Sequence, residues 1–134
     1  MPRAGDFIEG ADGFKLVLLR TGAETDGELL EMEATYGGDA PPPPEHLHPR
    51  QDEHFDVLKG RVRTVIGGTE RVYEVGESFD VPARTPPQVE ALGPARLRWE
   101  VRPALRTAAF FERLSGDGGA EGSLEEFVEE IRFT

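Results

Sequence analysis

His46-Leu47-His48-Pro49-Arg50-Gln51-Asp52-Glu53-His54-Phe55-Asp56-Val57-Leu58-Lys59-Gly60 is the stretch on which the reading of this chain turns. Two histidines stand one residue apart, a glutamate follows five positions after the second, and a glycine closes the run seven positions later. On a β-strand, residues i and i+2 point to the same face. His46 and His48 are therefore expected to aim both imidazoles at one point, and a turn in the chain brings Glu53 back beside them. Two neutral imidazoles and one carboxylate, with positions left open, suit a divalent transition metal.

The surroundings read as short strands broken by turns. Glu28 to Tyr36 alternates, with Leu30, Met32, Ala34 and Tyr36 on one face and Glu31, Glu33 and Thr35 on the other. Ala95 to Arg102 alternates too, setting Leu97, Trp99 and Val101 against Arg96, Arg98, Glu100 and Arg102. Further strands are expected at Phe14–Arg20, His46–His48, Glu53–Leu58, Arg61–Ile66, Arg71–Tyr73, Ser78–Val81 and Gln88–Ala91. Gly60, Gly67-Gly68, Gly76 and Gly93-Pro94 punctuate them, and Gly67-Gly68 reads as a hairpin turn. Pro41 to Pro44 cannot join a ladder freely and suggests an extended connector at a rim. Many short strands at this spacing argue for an all-β barrel or sandwich.

The C-terminal part differs. Thr107 to Leu114 shows helical spacing, with Thr107 as N-cap. Ser123-Leu124-Glu125-Glu126 is a capping-box pattern. Leu124, Phe127, Val128 and Ile131 then form an apolar stripe, with Glu125, Glu126, Glu129 and Glu130 expected to face water.

Composition bounds the function. The 134 residues suit one domain, and the charged fraction of 31% suits a water-soluble chain. Apolar runs such as Leu16 to Leu19 are too short to cross a membrane, the N-terminus lacks a signal-type segment, and no cysteine is present. A cytoplasmic location is the expectation. The net charge of −11 argues against nucleic acid or an anionic membrane as partner. Residues 57–114 nevertheless carry ten basic and seven acidic side chains. Its arginines at 61, 63, 96, 98 and 102 mark either an anion-binding face or the solvent side of strands. No nucleophile–base pair, Walker-type loop or dinucleotide fingerprint appears.

His46-x-His48-x4-Glu53-x6-Gly60 resembles the first conserved motif of the cupins, and Gly76-x5-Pro82 resembles the opening of the second. The resemblance covers about residues 14–103. It implies a double-stranded β-helix (jelly-roll) barrel with one or two short C-terminal helices over about 104–134, often dimeric, and in many members a metal in the barrel mouth. The second motif departs from the family pattern. Arg84 stands where a glycine is expected, and Pro87 stands where the last histidine ligand should be. Proline offers neither a ligand nor a backbone N–H.

Three of the four usual ligands are thus matched: His46, His48 and Glu53. The metal implied is iron, manganese, nickel or zinc. A one-residue bulge would bring Gln88 in as a substitute ligand. Tyr36, Phe55, Val57, Arg84 and Trp99 are expected to line a pocket, as core or as ligand wall. His54 should point the opposite way from Glu53, to the surface or an interface. Two functions stay open: a metal-dependent enzyme of dioxygenase type acting on a small organic molecule, and a non-catalytic small-ligand-binding or dimerisation module with a decayed metal site. A homodimer is the expected assembly.

Overall fold

The computed structural model describes residues 3–9, 13–38, 46–110, 130 and 132–133, with the strand alone described at His46 and at 132–133. In chain order the elements are β1 (Phe7–Glu9), β2 (Lys15–Arg20), the short helix α1 (Gly22–Thr25), β3 (Leu30–Tyr36), β4 (His46–Leu47) and β5 (Asp52–Lys59). There follow β6 (Arg61–Ile66), β7 (Thr69–Glu74), β8 (Ser78–Val81), β9 (Pro87–Ala91), β10 (Ala95–Arg102) and β11 (Arg132–Phe133). A six-stranded antiparallel sheet runs β1-β2-β3-β10-β5-β8, a three-stranded sheet runs β7-β6-β9, and β4 pairs with β11. This is the all-β architecture that the alternating pattern predicts, in the jelly-roll form that the cupin resemblance implies.

The strand period explains the core. Leu30, Met32 and Ala34 on β3 and Leu97 and Val101 on β10 are buried, and the register sets Leu97 opposite Ala34 on one side and Val57 on the other. Phe55, Val57, Val62, Phe79, Val81, Ala91, Ala95 and Leu97 form one apolar cluster that joins the two larger sheets. A second cluster is built on Leu16, Leu18, Leu30 and Met32, and Tyr36 and Trp99 pack against both.

Two turns are decided by glycine. Gly67 and Gly68 both have positive φ, 58° and 83°, and join Ile66 to Thr69 as a two-residue hairpin loop. Gly60 turns β5 into β6 at φ 75°, and a Cβ there would lie 2.2 Å from the Pro94 carbonyl oxygen. No other residue fits that corner without moving backbone.

Sequence periodicity missed three pieces. β1 adds an edge strand. Thr21 and Glu24 form a capping box on α1: Glu24 accepts from the Thr21 N–H at 2.7 Å, and the Thr21 hydroxyl accepts from the Ala23 N–H at 3.2 Å. β11 lies just beyond the apolar stripe that was read as helical. The expected helix at 107–114 is helical over residues 107–110, and its remainder lies outside the described residues. Thr107 is the first residue in helical conformation; it is buried, and its hydroxyl accepts from Gln51 Nε2 at 2.7 Å. The helix expected over the glutamate-rich segment from Ser123 also lies outside the described residues, except at Glu130, which is buried rather than facing water. No helix among the described residues is long and apolar enough to cross a membrane.

Of the arginines of the middle segment, Arg63, Arg96, Arg98 and Arg102 are held in ion pairs. Arg96 reaches Glu33 at 3.4 Å, Arg102 reaches Glu100 at 3.4 Å, Arg63 reaches Glu70 at 2.8 Å, and Arg98 and Arg20 both hold Glu31. They are cross-strand or neighbouring ion pairs on the outside of the sheets. Burial alone would raise the Glu31 pKa, but Arg20 and Arg98 outweigh it and lower it.

Candidate metal centre

Glu53 is the residue whose position demands an explanation. It lies on β5 with Phe55 and Val57 on the inward face, and the register sets it between Val101 on β10 and Val81 on β8. Only 3% of it is exposed. A carboxylate in an apolar row costs several kcal/mol unless donors or a cation meet it. One donor is Trp99, whose indole Nε1–H donates to Glu53 Oε2 at 2.7 Å.

The other carboxylate oxygen faces His48, with Glu53 Oε1 3.4 Å from His48 Nε2. His48 lies just past the end of β4, so the strand parity expected for both histidines holds only as far as Leu47. Two other contacts place it. Its carbonyl accepts from the Arg84 N–H at 2.9 Å. Its Nδ1 lies 2.6 Å from the Glu130 carbonyl oxygen. A carbonyl only accepts, so Nδ1 carries the proton and Nε2 presents a lone pair toward Glu53. This is the arrangement in which histidine ligates metal through Nε2, its other nitrogen being held by an outer partner. Two donors at about 2.0–2.2 Å from one ion stand roughly 3–3.5 Å apart, which is the separation found here.

Burial lowers the His48 pKa below its usual 6.5, opposed by the Glu130 carbonyl bond. The imidazole is therefore neutral at physiological pH, the form a metal needs. The sign for stability follows. Below about pH 6.5 the unfolded chain binds a proton at this histidine more readily than the folded one. The contribution is complete above that pH and is lost as pH falls toward the folded value. The stability advantage of wild type over His48→Gln should shrink between neutral pH and pH 5 in denaturant melts. An advantage that stays constant with pH is the contrary result.

The remaining expected residues divide. His46 lies on β4, and the expectation for its imidazole lies outside the described residues. Phe55 stacks on Trp99 at 5.3 Å and on Phe79 at 4.8 Å, forming an aromatic wall beneath Glu53, and Val57 continues the core. Tyr36 packs against both clusters, and its hydroxyl pKa is pushed up to about 12, first by burial and then by the Glu53 charge. It stays protonated and able to donate.

Arg84, expected as pocket lining, is exposed beside His48. Its backbone adopts φ 67°, the left-handed conformation that the glycine expected at this position would favour. Gln88 is no substitute ligand: the register from Val62↔Ala91 to Ile66↔Pro87 runs without a shift. Gln88 therefore shares the outer face with Glu90, which pairs with Arg63 at 3.4 Å, while Pro87 is buried. No bulge turns the strand over.

Outside the barrel, register aligns Asp80, His54 and Glu100 across β8, β5 and β10, with Asp56 two residues along. His54, Asp56 and Glu100 carry donor atoms within 4.8 Å of one another, as a metal site would. However, His54 donates from Nδ1 to Asp80 at 2.7 Å and from Nε2 to Asp56 at 3.1 Å. Burial pulls its pKa down, but the two aspartates outweigh that and raise it. The two aspartates thus favour His54 as an ion-pair partner over His54 as a ligand, which must be neutral.

Sequence reasoning missed Gln51, Arg106 and Glu130. Gln51 is 1% exposed and donates from Nε2 to the Pro103 carbonyl at 2.8 Å, tying the start of β5 to the segment after β10. Nothing local in the sequence signals these roles, because each depends on contacts across tens of residues.

The family model of the cupin domain matches residues 31–101, more than half of the chain. Among solved structures the chain is similar to KdgF from Halomonas sp., at 20% identity and TM-score 0.67, over 77% of this chain and 92% of that one. It is similar to an RmlC-like cupin from Shewanella frigidimarina, at 20% identity and TM-score 0.68, over 78% and 88% of the two chains. It is also similar to a recombinant oxalate oxidase in complex with glycolate, at 22% identity and TM-score 0.58, over 72% of this chain and 54% of that one. At such identities the likeness concerns the fold. No curated protein matches the sequence.

Proposed function

This chain belongs to the cupin family, and from that premise we propose that it is a metal-dependent enzyme acting on a small organic molecule, with His46, His48 and Glu53 holding the metal. The observation that carries the reading is the facing of His48 Nε2 and Glu53 Oε1 at 3.4 Å, with the far side of each group already engaged. The donor set fits iron, manganese, nickel or zinc. A bound metal of this kind supplies Lewis-acid or redox activation at the positions its protein ligands leave open.

The chain's own residues do the rest. Trp99 fixes one carboxylate oxygen and so directs the other. Buried Pro87 offers no donor, which limits the protein ligands to three and leaves more room for a chelating substrate. Tyr36 keeps its proton and supplies a hydrogen-bond donor near Glu53. The Phe55–Trp99 wall excludes water beneath the site. A dioxygenase-like reaction is the first candidate, and the likeness to an oxalate oxidase bound to glycolate accords with a small organic substrate. From composition and the family resemblance we further propose a cytoplasmic homodimer, the assembly being open to light scattering.

Pro87 also favours a second reading, a non-catalytic ligand-binding cupin whose metal site has decayed. Metal analysis of protein purified without chelator, followed by calorimetric titration with Mn²⁺ and Ni²⁺, separates the two. One metal per chain is expected. Pro87→His should tighten binding by at least about tenfold, roughly what one further ligand or outer partner is worth. Absence of stoichiometric metal together with silent titrations would leave the second reading standing.

A further inference from the structure

We propose that the C-terminal segment carrying Glu130 and β11 is a clamp that sets the orientation and tautomer of the candidate metal-binding histidines. Metal affinity would then depend on a residue 82 positions away from His48. This rests on the metal reading above and assigns positioning roles to Glu130 and Arg106.

Three separate contacts make the clamp. The Glu130 carbonyl accepts from His48 Nδ1 at 2.6 Å. β11 pairs with β4, setting Phe133 opposite His46 and Arg132 opposite Leu47. One short segment therefore meets the ring of one histidine and the strand of the other. The third contact anchors the segment itself. The Glu130 carboxylate accepts from the Arg106 backbone N–H at 3.3 Å, and its other oxygen lies 3.6 Å from the Arg106 guanidinium. The Arg106 N–H stands immediately before helical residues 107–110, where backbone donors have no acceptor within the helix. Glu130 is 3% exposed, and a buried carboxylate persists only where such donors meet it.

The chemistry is specific to tautomer. With a carbonyl at Nδ1, the imidazole holds its lone pair at Nε2, the atom turned toward Glu53. Without that carbonyl, both tautomers are populated and the ring loses one of the contacts that fix its rotation. A fraction of molecules then presents N–H, not a lone pair, to the metal. Because the acceptor is a backbone atom, the side chain acts by holding that backbone in place.

The test compares wild type, Glu130→Gln and Glu130→Ala, by ¹⁵N NMR of the imidazole nitrogens in metal-free protein and by Ni²⁺ calorimetry. Wild type should show His48 as the Nδ1–H tautomer. Glu130→Gln should retain it, because the amide oxygen still accepts from Arg106. Glu130→Ala should show mixed tautomers and about 10–100-fold weaker Ni²⁺ binding, the usual cost of losing an outer partner. An unchanged tautomer in Glu130→Ala overturns the clamp, as does unchanged affinity where wild type binds. If wild type binds no Ni²⁺ yet Glu130→Ala still shifts the tautomer, the clamp stands and the metal reading fails. Should Glu130→Ala not fold, the wild-type spectrum still decides: an Nε2–H tautomer at His48 would overturn the clamp.

Discussion

Glu53→Gln is expected to weaken divalent-metal binding by at least about 100-fold, beyond the range for outer partners, while leaving the folded state as stable as wild type or more so. The two halves of that result have one cause. Glu53 is a charge set between Val101 and Val81, and burying a charge there costs more solvation than burying an amide. Glutamine keeps the shape and an oxygen for the Trp99 N–H but removes the charge. A residue that raises affinity at the expense of stability is retained for chemistry.

Trp99→Phe is the complementary control. It keeps an aromatic ring against Phe55 but removes the donor to Oε2, leaving the buried carboxylate with less support. A loss of about 1.5–3 kcal/mol is expected, as for hydrogen bonds to charged groups. Calorimetry and urea melts on both variants provide the check. If Glu53→Gln bound metal like wild type, or lost stability as a core truncation does, Glu53 would be a structural residue.

Leu97→Ala should cost about 2–5 kcal/mol, the range for truncating a large buried aliphatic side chain. Leu97 is fully buried, and its neighbours Ala34 on β3 and Val57 on β5 sit on rigid strands that cannot close in on the cavity. Domains of this size are stable by roughly 5–15 kcal/mol, so this one change removes a large part of the margin. Val72→Ala, at a residue 41% exposed on β7, should stay within about 0.5 kcal/mol. Similar midpoints for the two variants in urea would mean that the core does not centre on β10.

Much of this protein is written in short-range pattern. Alternation at 30–36 and 95–102 assigned the buried faces of β3 and β10, because a period of two needs only local backbone geometry. Glycine at 60, 67 and 68 marked the turns, because positive φ is a local requirement. The spacing of His48 and Glu53 anticipated that they would meet, and parity kept His54 outside.

What sequence could not decide was anything that depends on which distant segments pack together. Glu130 reads as the solvent side of a helix but is buried beside His48, because the Arg106 N–H and the His48 ring, remote in sequence, both need an acceptor there. Gln88 stays on the outer face because its ladder with β6 keeps register from Ala91 to Pro87. The tautomer of His48, and hence which nitrogen is offered to a metal, is set by a carbonyl that only the folded chain brings within reach. Local pattern determined the strands and the residues that meet at His48 and Glu53; tertiary contact decided how those side chains are aimed, because aim depends on hydrogen bonds formed across the whole chain.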